Sequence, residues 1–225
     1  MIYIYEKYNK ENDVRQPVAV TVIVGSCDAH RDLPDMGMKI GDILCTDGSV
    51  MGYERYEESE KEAIAVVFHI DSDEGNGGDG YAVYLKDIRP EMFADSIGVA
   101  QKTSADLTAL DGNENTFAMF SASGIGSPLA NSVLDLWRYG QSAYIPSAAQ
   151  MRLLYTAKEH INPIMERCGG ERLPDDADGC WYWTSTEVEG QEAAKAWLYS
   201  MGSGALQETP KDQVHRARPI ITIYK

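Results

Sequence analysis

Tyr182-Trp183-Thr184-Ser185-Thr186-Glu187, read together with Arg218-Pro219-Ile220, is the stretch on which the fold turns. It joins an aromatic pair to a short hydroxyl run and a carboxylate. Strand alternation puts Trp183, Ser185 and Glu187 on one face and Tyr182, Thr184 and Thr186 on the other. A Trp, a Glu and a distant Arg on one sheet predict a buried or half-buried Glu187–Arg218 ion pair under an aromatic lid. Such a pair organises a fold and does no chemistry by itself.

Around that stretch the last fifty residues read as β. Trp181 to Thr186 is one strand, and Ala194 to Met201 with Ala205 to Glu208 form a hairpin around Gly202-Ser203-Gly204. Arg218 to Tyr224 closes the sheet. Upstream lie two helices. Ser127 caps the first, Pro128 suits its first turn, Gly140 ends it, and Leu129, Val133, Leu136 and Trp137 form its apolar stripe. Ser147 and Gln150 make a capping box for the second, which buries Met151, Leu154, Tyr155 and Ile161. Asn162-Pro163 restarts a short turn that ends at Gly169-Gly170. Residues 87 to 126 read as loop-rich, with Asp111 to Thr116 at their centre.

Further upstream, Ile40 to Thr46 is a short strand ended by Asp47-Gly48. Ala63 to Ile70 pairs with Gly80 to Leu85 across the acidic loop Asp71 to Asp79. That loop fails as a calcium site: Gly75 and Asn76 stand where an oxygen ligand and then glycine are needed, and Ala82 stands where the bidentate Glu belongs. Met1 to Tyr8 and Val18 to Val24 read as strands of an attachment segment, residues 1–39, ahead of a main domain, residues 40–225.

The bulk composition narrows the function classes. The chain has 225 residues, 44% hydrophobic and 24% charged, which suits an ordinary globular core. A net charge of −15 argues against non-specific nucleic-acid binding and against an anionic membrane surface. Met1 to Lys10 has no apolar leader core, and Val18 to Val24 is too short to span a bilayer. Either the chain works without export or a leader has been removed. Cys27, Cys45, Cys168 and Cys180 show no CxxC spacing and read as free thiols, Cys168–Cys180 being the one pair worth testing.

The ordered motifs resemble a family. Tyr144-Ile145-Pro146-Ser147, Gln150-Met151, Tyr182 to Glu187, Ala196-Trp197, Gly202, Lys211 and Arg218-Pro219 are similar to the C-terminal domain of the Legionella collagen-like adhesin and its bacterial relatives. Gln150 stands where that family usually has a carboxylate. Upstream, Gly41 to Leu44, Asp47-Gly48-Ser49, Ala63 to Phe68 and Asp111 to Thr116 resemble gut-Bacteroides and phage versions of the domain. The likeness covers residues 40 to 224. It implies an α+β, C-type-lectin-like fold, two helices packed on a small twisted antiparallel sheet. It also implies ligand recognition, in adhesion or receptor binding at a bacterial or phage surface, with diversified variable proteins among its relatives.

No chemistry-bearing constellation competes with that reading. The Glu-Pro-Asn or Gln-Pro-Asp and Trp-Asn-Asp motifs of calcium-dependent lectins are absent. Cys168 and Cys180 do not supply the cysteines of the related formylglycine-generating enzymes. His30, His69, His160 and His215 have no ligand-spaced partners. Gly124-Ile125-Gly126 lacks a phosphate-loop Lys, and Ser185 lacks triad partners. The expectation is a non-enzyme without metal or cofactor. Trp183, Glu187, Trp197 and Arg218 are expected to be structural. Glu189, Gln191, Lys195, Tyr199, Ser203, Gln207, Lys211 and His215 are the candidate ligand-binding surface. A cell-surface glycan or protein is the expected partner, homo-oligomerisation is allowed for, a virion or appendage assembly subunit is the first alternative, and an enzyme of unknown reaction is the second.

Overall fold

A computed structural model describes residues 37–71, 80–136, 142–176 and 179–224. Most of the expected attachment segment, with Cys27 and His30, lies outside them, as do the centre of the acidic loop and the helix positions Trp137 and Gly140. The described chain is mixed α+β, with four helices and two five-stranded sheets, where two helices and one small sheet were expected.

The first sheet has the order β10-β4-β3-β1-β2, built from β1 (Ile43–Cys45), β2 (Val50–Met51), β3 (Ala63–Ile70), β4 (Gly80–Tyr84) and β10 (Ile220–Ile223), all antiparallel. The second has the order β5-β9-β6-β7-β8, from β5 (Ile88–Met92), β6 (Trp181–Glu187), β7 (Lys195–Ser200), β8 (Leu206–Pro210) and β9 (Val214–Ala217). Its one parallel pair is β6 with β9.

Both faces of β3 are covered, which explains its near-continuous apolar run. Val66 and Phe68 enter one core with Met151, Leu154, Ile161, Met165, Tyr182 and Tyr199. Ala65 and Val67 enter the other with Phe93, Met119, Leu129, Val133, Trp183 and Leu198. The second sheet divides in the same way, Tyr182 to one side and Trp183 to the other.

The helices are α1 (Tyr53–Glu57), α2 (Gly112–Ser121), α3 (Pro128–Leu134) and α4 (Ala148–Arg167). Ser127 caps α3 by accepting from the Ala130 N–H at 3.1 Å. Ser147 and Gln150 form the predicted capping box. Lys158 and Asn162 share the buried face of α4. The Lys158 ammonium donates to the Met201 carbonyl at 2.7 Å, and the Asn162 amide bonds both ways to the backbone of Leu173 at 2.8 and 3.0 Å.

Three expectations about elements need correction. The helix does not restart at Asn162-Pro163, because α4 runs through Pro163 to Arg167. Pro163 is exposed, so water can solvate the carbonyl it leaves unpaired, while Ile161, Asn162 and Met165 are buried and hold the turn in place. Residues 87 to 126 hold β5 and α2. Gly112 opens α2 because a Cβ there would lie 2.3 Å from Gln150 Oε1 and 2.7 Å from the Ile145 carbonyl oxygen, so only glycine lets α2 approach the start of α4 this closely. Finally, Arg218 does not open the last strand. It lies with Pro219 between β9 and β10, where the chain crosses from the second sheet to the first.

Candidate functional site

The site is best built from the β6–β7 pair. Its register runs from Trp183↔Leu198 to Glu187↔Ala196, so Thr184, Ser185 and Thr186 bulge out between them. The bulge is tied down by the Ser185 N–H donating to the Pro146 carbonyl at 2.8 Å and by Thr186 Oγ1 accepting from the Ala148 N–H at 3.1 Å. It delivers Glu187 into the interior, fully buried.

The expected Glu187–Arg218 pair does not form. Glu187 accepts the backbone N–H groups of Gln101 at 2.8 Å and Thr103 at 3.1 Å, and pairs with the ammonium of Lys211. Lys211, expected on the ligand-binding surface, is fully buried; it also donates to the Glu192 carbonyl at 2.8 Å and sits 5.1 Å from the Phe93 ring centre. Burial pulls its pKa below the ordinary lysine value, and the Glu187 carboxylate opposes that shift. Arg218 is equally buried and pairs with Asp87. Its Nη1 donates to the carbonyls of Tyr84, Leu85 and Glu171 at 3.2, 3.1 and 3.0 Å. Asp87 is shared, since it also holds Arg216 at 2.8 Å and accepts the Tyr182 hydroxyl at 3.2 Å.

Trp183 is buried, edge-on to Phe93 and His215 at 5.6 and 5.3 Å, and its indole N–H donates to the Glu91 carbonyl at 3.0 Å. Trp197, expected in the core, is only half-buried. Tyr199, expected on the surface, is buried against Tyr155 beneath α4. Its alternation partners explain this: Tyr182 and Leu206 stand beside it in register, on the face that α4 covers.

The remaining candidates do not form one patch. Gln191 and Lys195 meet at the Glu208 carboxylate, at 3.2 and 3.0 Å. Glu189 and Ser203 are exposed, and Ser203 bonds back to Ser200 within the hairpin turn. Gln207 and His215 do come together, in a depression of about 280 Å³ at the Gly179–Trp181 end of β6. Trp181, Leu198, Val214 and Pro90 line it with them, and Arg216 stands at its rim, donating to the Gly179 carbonyl at 2.9 Å. Val214 is 58% exposed. Burial lowers the His215 pKa, so the imidazole is neutral at pH 7. The depression therefore offers an aromatic and aliphatic floor with an amide, an imidazole and a guanidinium around it, an arrangement suited to binding.

Nothing in the sequence separates Trp181 from Trp183. The position is detectable only through the alternation that places both on one face, with Trp181 at the start of β6. A second depression, about 390 Å³ and almost wholly apolar, lies between β3 and α4 at Phe68, Leu153 and Ala157. Two expected lone histidines border it: His69 stacks on Tyr81, and His160 meets the Ile40 carbonyl at 3.3 Å.

Cys45, Cys168 and Cys180 are in no disulfide, and Cys180 contacts the Ser200 hydroxyl at 3.1 Å. Among the described residues no group of three or more His, Cys, Asp or Glu side chains is placed to hold a metal ion, and no helix is long and apolar enough to cross a membrane. No family model matches the chain, and no curated protein matches it significantly.

Proposed function

We propose that the chain is a non-enzymatic ligand-recognition module of C-type-lectin-like architecture, serving adhesion or receptor binding at a bacterial or phage surface. The observation that carries this reading is the depression at Trp181, Gln207, Val214 and His215. Elsewhere in the second sheet the charged side chains are spent on each other: Glu187 on Lys211, Arg218 on Asp87, Lys195 on Glu208. At the depression, by contrast, the Trp181 indole N–H and the Gln207 amide make no hydrogen bond within the described residues. Polar groups left free around an apolar floor are what a binding surface needs. The mostly antiparallel sheets, the Ser147-capped helix ahead of Tyr182 to Glu187, and the return of β10 to β4 support the architecture.

The test is a glycan and surface-protein array probed with the protein and with Trp181→Ala. The expected result is a specific ligand whose binding the substitution weakens at least about tenfold, the equivalent of 1.4 kcal/mol. Binding indifferent to Trp181, or none across the array, overturns the reading.

Assembly through this face is the second reading, favoured by Val214 at 58% exposure. It expects an oligomer by light scattering that Val214→Asp dissociates.

A further inference from the structure

We propose that the depression reads a carboxylate next to a small apolar group, with Arg216 as the carboxylate's partner and Trp181 as the floor for the apolar part. This deepens the recognition reading above and rests on it. The chain carries a formal net charge of −15, yet among the described residues no carboxylate lines this depression. The one charged lining group among them, Arg216, is cationic.

Arg216 is held ready for such a ligand. Its Nε is fixed on Asp87 at 2.8 Å and its Nη1 on the Gly179 carbonyl at 2.9 Å, while its Nη2 makes no hydrogen bond within the described residues. Its guanidinium carbon stands 5.4 Å from the Tyr182 ring centre. A guanidinium locked at two nitrogens with donor capacity left over loses little entropy on binding an anion. Asp87 does not cancel it, because that single carboxylate is divided between Arg216 and Arg218. Glu171 lies 3.9 Å from Arg218 and is itself about half exposed, so solvent screens it, and it does not line the depression. Glu91, the cross-strand neighbour of His215, is turned to Arg89 and Ser132.

The apolar half follows from Trp181, Pro90 and Val214, and the volume of about 280 Å³ admits one ring or short aliphatic group with its acid. Gln207 supplies an amide that can meet a neighbouring peptide or hydroxyl group. The chemistry is shared by a free arylalkanoic acid and by the C-terminal apolar residue of a polypeptide.

The experiment titrates the protein with N-acetylphenylalanine, with its neutral amide and with 3-phenylpropionate, following the indole and His215 ring resonances by NMR. The acid should bind at least about tenfold more tightly than the amide, a difference of 1.4 kcal/mol. Arg216→Gln should erase that preference. Val214→Asp, which puts a carboxylate on the lining itself, should weaken the acids at least about tenfold more than the amide. A stronger N-acetylphenylalanine than 3-phenylpropionate response assigns the site to a chain terminus, and the reverse to free acids. If acid and amide bind equally, the carboxylate inference falls while the recognition reading stands. If neither probe moves these resonances, the inference falls, and the array decides the recognition reading separately.

Discussion

Glu187 and Lys211 show how a buried charge fixes one residue's conformation. The carboxylate has three donors, two of them backbone N–H groups of the 101–103 segment, so it pins a loop as well as a cation. Lys211→Met strands that carboxylate in the core and should cost about 3–5 kcal/mol, measured by urea unfolding. Glu187→Gln keeps one acceptor oxygen, and the double variant should fall short of the sum of the singles by about 0.5–3 kcal/mol. Strict additivity would show that the two do not interact. Nothing in the sequence names Lys211 as the partner. Glu187 announces a buried carboxylate by sharing a strand face with Trp183, but its cation must be chosen from residues whose distance the sequence does not contain. Lys211, between Pro210 and Asp212, has the local look of a surface turn. Cys168 makes a different residue-level prediction. Burial, with Cys45 adding to it, pushes its thiol from 9.0 up to about 11. Its reaction with a disulfide reagent should be slow at pH 8 and should accelerate as the pH approaches 11. The folded value lies above the unfolded one, so the associated stability is present below pH 9 and is lost as pH rises through 11.

At the scale of elements, α4 is held by its start and by one face. Leu154 is fully buried between β3 and the Tyr199 strand, and Leu154→Ala should cost about 2–5 kcal/mol through the cavity left. Ser147→Ala removes a cap and also the Ser147 hydroxyl's bond to the Ala109 carbonyl at 2.7 Å, and should cost about 1–2 kcal/mol. Pro163→Ala should act in the opposite direction. The ring is exposed, the substitution restores a helical N–H, and the gain should be up to about 3 kcal/mol, read as a higher Tm. A lower Tm would mean that Pro163 makes a contact the helix needs. The start of α4 was legible because Ser147 and Gln150 are three apart ahead of an apolar period. α2 was not legible, because Gly112-Asn113-Glu114-Asn115 has the composition of a turn and only contact with Gln150 and Ile145 makes it helical. β9 was missed for a related reason: Val214-His215-Arg216-Ala217 has no clear alternation, since Arg216 is drawn to Asp87 and His215 to Trp183.

Across the whole molecule, the two sheets are joined at Arg218, whose guanidinium bonds β4's end, the Asp87 turn and the chain leaving α4. A lysine can supply the charge but not this planar fan of donors. Arg218→Lys should therefore lose about 3–5 kcal/mol, nearly as much as Arg218→Met, whereas a rescue by lysine would reduce the joint to simple charge pairing. The sequence made the Arg-Pro pair conspicuous and tied it to the closing strand. It did not disclose the crossing, because a change of sheet looks the same in sequence as a pause within one strand. That crossing also has a consequence for synthesis. β4, ending at Tyr84, pairs with β10, starting at Ile220, so the first sheet stays open at β4 until the whole stretch between them has been translated. Until Ile220 to Ile223 clear the ribosome, Val83 and Ala82 present an unpaired apolar edge, the kind of surface on which nascent chains associate. Folding should accordingly be late and slow, set by a long-range closure. A nascent chain stalled just short of β10 would be a substrate for chaperones.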